Sequence, residues 1–141
     1  MNWILFFHLI GFAFGFGAVM LVDIVGILWV LRRVKANQVI WLSGITQYVI
    51  WLALFVQIIT GINLLEFDEI SLRTKIKLLA VVILGINGLV LDRIRTRLIA
   101  FDQADFWKLP RAFQVASIAA ISLSQLGWWT ATIIGFMTAS S

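Results

Sequence analysis

The chain has 141 residues, of which 62% are hydrophobic and 13% are charged, with a formal net charge of +4. A soluble domain is about 45–50% apolar and about 25% charged, so this composition excludes an ordinary soluble domain, and its apolar content excludes a disordered chain. The sequence contains one proline and no cysteine, which excludes a disulfide framework, a thiolate metal site and a cysteine nucleophile. The composition therefore predicts an integral membrane protein.

Charged residues cluster between four long apolar segments, which we predict to be transmembrane helices. A helix needs about 20 predominantly apolar residues to cross the hydrocarbon core of a bilayer, and each segment meets that length. The short alternating segments of a membrane β-barrel are not seen. The sequence predicts an all-α integral membrane four-helix bundle, one transmembrane domain over residues 1–141, with helices at about 3–31, 39–65, 76–100 and 112–139.

The placement of lysine and arginine predicts the orientation of these helices. Eight of the eleven basic residues lie in or near the connections 32–38 and 97–111. Because cytoplasmic loops carry an excess of lysine and arginine, we predict that both connections face the cytoplasm and both termini face outside (N-out/C-out). The opposite connection balances three basic with three acidic residues: Arg73, Lys75 and Lys77 with Glu66, Asp68 and Glu69.

The basic connections also explain the sequence pI of about 10.1. Basic loops meet anionic lipid headgroups, and no RNA- or DNA-binding motif is present, so we predict the lipid bilayer as a partner and no nucleic acid. The first apolar segment lacks a basic start and is followed by Arg32, Arg33 and Lys35. These features predict a retained helix and not a secretory signal.

His8 is the single histidine and lies in the outer third of the first predicted helix. Gly11 and Gly15 follow on the same helix face and form a small-xxx-small pair, which lets another helix or a flat ligand come close. Two interpretations remain open. Either the glycines line a helix contact and His8 bonds a neighbouring carbonyl, or His8 ligates a cofactor for which the glycines make room.

Other polar and aromatic side chains lie at a similar depth on the remaining helices. Gln57 and Thr60 belong to the second predicted helix, and Lys77 opens the third. Lys77 either snorkels to the surface or turns inward, where its cation would suit an anionic group such as a propionate. Trp128 and Trp129 in the last helix either pack between helices, face lipid or stack on a bound ring.

Asp23 lies in the inner half of the first predicted helix and is the most costly charge in the chain. A carboxyl group at this depth is expected to be protonated or paired. It has either a structural hydrogen bond or a role in proton transfer, and both remain open. The partners we expect are Arg93, Arg95, Ser43 and Gln47.

Two further polar residues of the third predicted helix have structural interpretations. Asp92 adjoins Arg93 near the headgroups, and we expect an interfacial ion pair between them. Asn87 is predicted to hold helices together in mid-membrane. We also predict interface anchors at four tryptophans, Trp3, Trp29, Trp41 and Trp107.

Three segments carry a resemblance to known proteins: FFHLIGFAFGFGAVMLVDI, TKIKLLAVVILGINGLVLDRI and SQLGWWTATIIGF. They are similar to segments of small bacterial four-helix membrane proteins of uncharacterised function. More distantly, nearly the whole chain resembles the membrane protein superfamily that contains HemJ-type protoporphyrinogen oxidases and CopD-type copper-resistance proteins. In HemJ-type proteins an early histidine of helix 1 and a lysine opening helix 3 lie close to a haem b, and His8 and Lys77 match those positions.

This resemblance implies a haem b, or another porphyrin or redox cofactor, in the outer half of the bundle, with His8 as the ligand of the haem iron. Of the site residues, the resemblance supplies His8 and Lys77; helix faces and depth in the sequence add Gly11, Gly15, Gln57, Trp128 and Trp129 to the predicted cofactor site. The resemblance also implies a multi-pass protein of a bacterial-type inner membrane. Where HemJ-type proteins have a further histidine in helix 3, this sequence has Asn87, which excludes a bis-histidine haem within one chain.

Three classes of function remain open at this point. The first is a cofactor-binding or redox membrane protein. The second is a non-catalytic membrane subunit that packs through the glycine face of the first helix, in a homo-oligomer or a larger complex. The third is a small proton- or ion-coupled transporter or channel that uses Asp23. The sequence assigns no specific reaction.

Overall fold

The computed structural model describes residues 2–65, 71–101 and 105–139, with side chains up to residue 137. Over these residues the protein is all-α. The four long helices are α1 (Trp3–Val30), α2 (Ala36–Asn63), α3 (Leu72–Ala100) and α4 (Arg111–Ala139), and a short 3-10 helix (Phe106–Lys108) precedes α4. Each long helix is long and apolar enough to cross a membrane, so the predicted fold class is confirmed. The acidic residues predicted to balance the outer connection, Glu66, Asp68 and Glu69, lie outside the described residues.

Two helices begin earlier than hydropathy predicts, because polar caps precede their apolar segments. The sequence predicts starts at 39 and 76, whereas α2 starts at Ala36 and α3 at Leu72. The backbone N–H of Lys35 donates to Gln38 Oε1 at 2.9 Å, and Ser71 Oγ accepts from the backbone N–H of Thr74 at 3.2 Å. Such bonds satisfy N–H groups that lack a partner in the first turn of a helix.

The bundle consists of two helical hairpins. α1 packs along α2 and α3 packs along α4, whereas the contacts between the two hairpins are less extensive. The hairpins meet through a small core cluster of Val19, Leu84 and Trp128. Both hairpin turns lie at the same end of the bundle. A hydrogen bond joins them there: Trp107 Nε1 donates to the carbonyl oxygen of Val30 at 2.8 Å.

The end that holds the hairpin turns is closed by a second apolar cluster. Its buried members are Trp29, Ala36, Leu98, Phe106, Leu109 and Phe113. Phe106 is 1% exposed, and its ring centroid lies 5.2 Å from that of Trp29. The prediction of Trp29 as an interface anchor is therefore wrong: the 3-10 helix folds beneath the bundle and covers this tryptophan.

The outward surface of the long helices is apolar. Large side chains on every helix are more than half exposed, among them Phe14 at 62%, Leu52 at 64%, Val82 at 58% and Leu126 at 66%. Contiguous exposed apolar surface of this extent marks contact with a membrane or with another protein. Together with four helices that are long and apolar enough to cross a membrane, it indicates a multi-pass membrane protein.

Candidate functional site

His8 projects from α1 towards α2, where its ring bonds Thr60. His8 Nδ1 lies 2.8 Å from Thr60 Oγ1, and the same hydroxyl lies 2.6 Å from the carbonyl oxygen of Val56. A hydroxyl has one hydrogen but two acceptor lone pairs. Because Thr60 donates that hydrogen to Val56, as helical threonines commonly do one turn back, His8 Nδ1 is the donor in the other bond.

The bond to Thr60 determines which tautomer His8 adopts. With the proton on Nδ1, the neutral ring carries its free lone pair on Nε2. Nε2 has no hydrogen-bond partner among the described residues. The structure differs here from the expectation that His8 bonds a backbone carbonyl: the partner is a side-chain hydroxyl, and one ring nitrogen stays available to a ligand.

Gln57 and Lys77 lie beside His8, so three helices contribute to this end of the bundle. The side chain of Gln57, one turn before Thr60, donates through Nε2 to the backbone carbonyl of His8. Lys77 is half-buried, whereas Lys75 is exposed. The side chain of Lys77 therefore does not extend fully to the surface.

Gly11 and Gly15 are covered by side chains of the same protein. A Cβ atom at Gly11 would lie 3.0 Å from Val56 Cγ1, and one at Gly15 would lie 2.9 Å from both Ala53 Cβ and Trp128 Cη2. The glycines thus allow α2 and Trp128 to approach α1 closely. A second copy of the chain cannot pack on this face unless α2 moves away.

The two tryptophans predicted at the site have different environments. Trp128 is 5% exposed, and its ring lies 5.9 Å from Phe12 and 6.1 Å from Phe16 between centroids. Trp129 is 47% exposed and meets Phe16 edge-to-face at 5.3 Å. Trp128 is therefore part of the core between the hairpins, and Trp129 faces the surface.

A cavity of about 160 Å³ lies between the hairpins, in the half of the bundle nearer the hairpin turns, and all four long helices line it. Its walls are mainly apolar and include three tryptophans, Trp29, Trp51 and Trp128. Its polar lining includes Asp23, Asn87, Asp92, Arg95, Ser117 and Ser124. His8 is not among its lining residues, so the structure holds two separate polar regions.

Asp23 is 6% exposed and bonds α4. Its Oδ2 accepts a hydrogen bond from Gln125 Nε2. The expected partners were wrong, although three of the four line the same cavity: Ser43, Gln47 and Arg95. The fourth, Arg93, is exposed on the opposite side of α3. Gln125 was visible in the sequence as a polar residue of the last helix, but nothing in the sequence pairs it with Asp23.

Asp92 pairs with Arg95 and not with Arg93. Arg95 Nη2 lies 3.0 Å from Asp92 Oδ1, because residues three apart share a helix face and adjacent residues do not. Arg95 Nε and Ser117 Oγ are buried without any hydrogen-bond partner in the part of the chain that the structure describes. Asn87 is 4% exposed, and its Nδ2 donates to the carbonyl oxygen of Ala120 at 2.8 Å, which joins α3 to α4.

Within the described ranges, no three histidine, cysteine, aspartate or glutamate side chains converge on a point that could hold a metal ion. A metal bound to protein side chains alone is therefore not indicated there, whereas a prosthetic group needs only an axial ligand. No protein-family model, curated protein or solved structure matches the chain significantly.

Proposed function

We propose that this membrane protein binds a porphyrin-type cofactor, with haem b as the first candidate, through Nε2 of His8. The observation that carries the proposal is the hydrogen bond from His8 Nδ1 to Thr60 Oγ1 at 2.8 Å. A metal-ligating histidine almost always donates its other ring N–H to a protein acceptor, which orients the ring and determines its tautomer. Thr60 supplies that acceptor.

The side chains around His8 offer a porphyrin cofactor one ligand for its metal and one cation for a carboxylate group. His8 supplies a single ring nitrogen, and the half-buried Lys77 is the cation that would pair a propionate. The cavity of about 160 Å³ is too small for a porphyrin, since sites for cofactors of that size are about 300–1,000 Å³, and α2 covers the glycines. The residues that would hold the cofactor are therefore His8, Gln57 and Lys77, at the end of the bundle predicted to face outside.

The chain's own residues would bind and orient the cofactor. A haem, when bound, supplies one-electron redox chemistry. Thr60 and Gln57 hold the ring and the backbone of His8, and Lys77 would pair a carboxylate. The resemblance to HemJ-type proteins, in which a histidine and a lysine at the positions matched by His8 and Lys77 lie close to haem b, supports the same assignment.

An absorbance spectrum of the detergent-purified protein tests the proposal. We expect a Soret band after expression with a haem precursor, and its loss in His8→Ala, because the chain has no other histidine. Thr60→Val keeps the side-chain shape but removes the acceptor, so haem affinity is expected to fall about 10–100-fold.

Thr132→Val is the matched control, since its hydroxyl bonds Trp128 O at 2.7 Å in the same one-turn-back geometry but lies on α4. A parent protein without a Soret band contradicts the proposal. Equal haem affinities in the two threonine variants would show that the hydrogen bond from His8 to Thr60 does not contribute to haem binding.

Asp23 supports a second candidate function, proton- or ion-coupled transport. It is a buried carboxyl group that lines a cavity between the hairpins, and among the described residues its one hydrogen-bond partner is Gln125. Intramembrane carboxyl groups of this kind mark proton and ion pathways in transporters. In proteoliposomes, pH-dependent flux that disappears in Asp23→Asn would support transport, and a parent protein without flux would exclude it.

A further inference from the structure

We infer that the cavity between the two hairpins binds the headgroup of a quinone, a planar six-membered ring that carries carbonyl oxygens. The inference does not depend on a cofactor at His8, because His8 does not line this cavity. It rests on two unpartnered buried donors and on the size and walls of the cavity, and it places the entry from the bilayer between α2 and α3.

Two buried donors on the cavity wall have no acceptor. Ser117 Oγ and Arg95 Nε are both without a hydrogen-bond partner among the described residues, and both residues line the cavity. Ser117 is 4% exposed, and Nη2 of Arg95 is already engaged by Asp92. Native proteins leave few buried polar atoms unsatisfied, and each such atom calls for a partner such as a ligand or water.

The two donors lie at similar depth on neighbouring antiparallel helices. Ser117 is six residues after the start of α4 and Arg95 is five residues before the end of α3, which is about 9 Å and about 7.5 Å along the two helices from their shared connection. Arginine Nε–H can only donate, and a serine hydroxyl can donate as well. A ligand that suits both groups therefore presents acceptor oxygens.

The dimensions and walls of the cavity suit one ring. Its volume is about 160 Å³, and an apolar protein cavity of about 150 Å³ holds benzene. Trp29, Trp51 and Trp128 contribute aromatic surface to the walls, and flat rings pack favourably on aromatic side chains in stacked or edge-to-face geometry.

The proposed entry from the bilayer lies between α2 and α3. Contacts between α2 and α3 are less extensive than those within either hairpin. The side chains of Arg95 and Asp92, which line the cavity on α3, are 28% and 38% exposed. A ring that enters between these helices can leave an apolar tail in the lipid. A quinone combines this tail with a carbonyl-bearing ring, whereas a water-soluble aromatic molecule does not.

Titration of the detergent-purified full-length protein with ubiquinone-1, followed by quenching of tryptophan fluorescence, tests the inference. Because the chain has no cysteine, thiol adducts with the quinone do not form. We expect saturable quenching, and about 5-fold weaker binding in Ser117→Ala, which corresponds to one ordinary hydrogen bond. Arg95→Lys keeps a cation for Asp92 but removes the donor at Nε, and we expect a similar loss.

Two control variants and one competitor complete the experiment. Thr132→Val removes a hydroxyl elsewhere on α4, and His8→Ala removes the proposed haem ligand; both are expected to bind ubiquinone-1 like the parent. p-Xylene has a ring of similar size without carbonyls and is expected to compete poorly.

Non-saturable quenching in the parent overturns the inference and leaves water as the occupant of the cavity. Displacement of ubiquinone-1 by an equal concentration of p-xylene, or equal affinities in Ser117→Ala and Thr132→Val, also overturns it, because the cavity would then select for size alone. The parent titration with its competitor decides the matter even if a variant does not fold. Loss of the Soret band without loss of quinone binding separates this site from the one at His8.

Discussion

At Gly15, α1 comes very close to two other helices. A Cβ atom there would lie 2.9 Å from Ala53 Cβ on α2 and 2.9 Å from the Trp128 ring on α4. Real Cβ atoms are not found so close to other heavy atoms, and neither a short alanine side chain nor a large buried ring has a flexible end that can move aside. The absence of a side chain at Gly15 is therefore a packing requirement.

We expect Gly15→Ala to destabilise the folded protein by about 1–3 kcal/mol, the usual cost of overpacking a dense interior. Gly17→Ala is the matched control on the same helix, because no atom lies within 4 Å of its Cβ position; it should be neutral or slightly stabilising, since alanine favours the helix. Unfolding in a titration of SDS against mild detergent, followed by circular dichroism, measures the difference. Equal effects of the two changes would contradict the packing account.

At the scale of single residues, the sequence located the unusual groups but not their partners. His8 and Asp23 stood out because an ionisable side chain inside a membrane helix is costly. The residues that bond them, Thr60 and Gln125, carry no charge, and each is one of several uncharged polar residues in its helix. Their roles depend on the rotation of each helix about its axis, which the sequence does not show.

Helix α1 ends in a backbone hydrogen-bond motif that includes a residue in the left-handed conformation. Arg33 N–H bonds Leu28 O at 2.7 Å and Arg32 N–H bonds Trp29 O at 2.9 Å, which is the Schellman pattern of helix C-termini. This motif needs a left-handed residue after the helix, and Arg32 has φ of 59°. Glycine usually occupies this position because it has no Cβ. Arg32 therefore holds a strained conformation.

Arg32→Gly is expected to stabilise the protein by about 0.5–1 kcal/mol, because it relieves the left-handed strain at the cost of some chain entropy. The ion pair of Arg32 with Asp105 at 3.3 Å is lost, but Arg32 is 66% exposed there, and such pairs contribute little.

Arg33→Gly removes the same charge from the next residue, where φ is not positive, and should not stabilise. Thermal unfolding in one detergent compares the two variants. An equal or larger gain from Arg33→Gly would show that loss of positive charge, and not backbone strain, is responsible.

At the scale of the whole molecule, the two hairpin turns lie together at one end. The 3-10 helix closes that end through Phe106, and the Trp107 bond to Val30 joins the second hairpin to the first. Most of the basic residues of the chain flank these turns, so a single orientation places them all on the cytoplasmic side.

The absence of cysteine makes this orientation directly testable. We expect Leu72→Cys, at an exposed site before the body of α3, to react in intact cells with a membrane-impermeant maleimide. Asn37→Cys, at an exposed site in the first turn of α2, should react only after the membrane is permeabilised. The reverse pattern would show that both termini face the cytoplasm.

The sequence by itself determined the four membrane helices and the positions of their ends to within about four residues, because the preference of a side chain for lipid or water is a local property. Tertiary structure decided which helices pair and which faces meet. A helix that is apolar all round gives no periodic signal for its inward side. For this reason Trp29 was expected at the interface and is buried, and Asp23 was expected to meet α2 or α3 and bonds Gln125 on α4. The cavity exists only because two separately packed hairpins leave space between them.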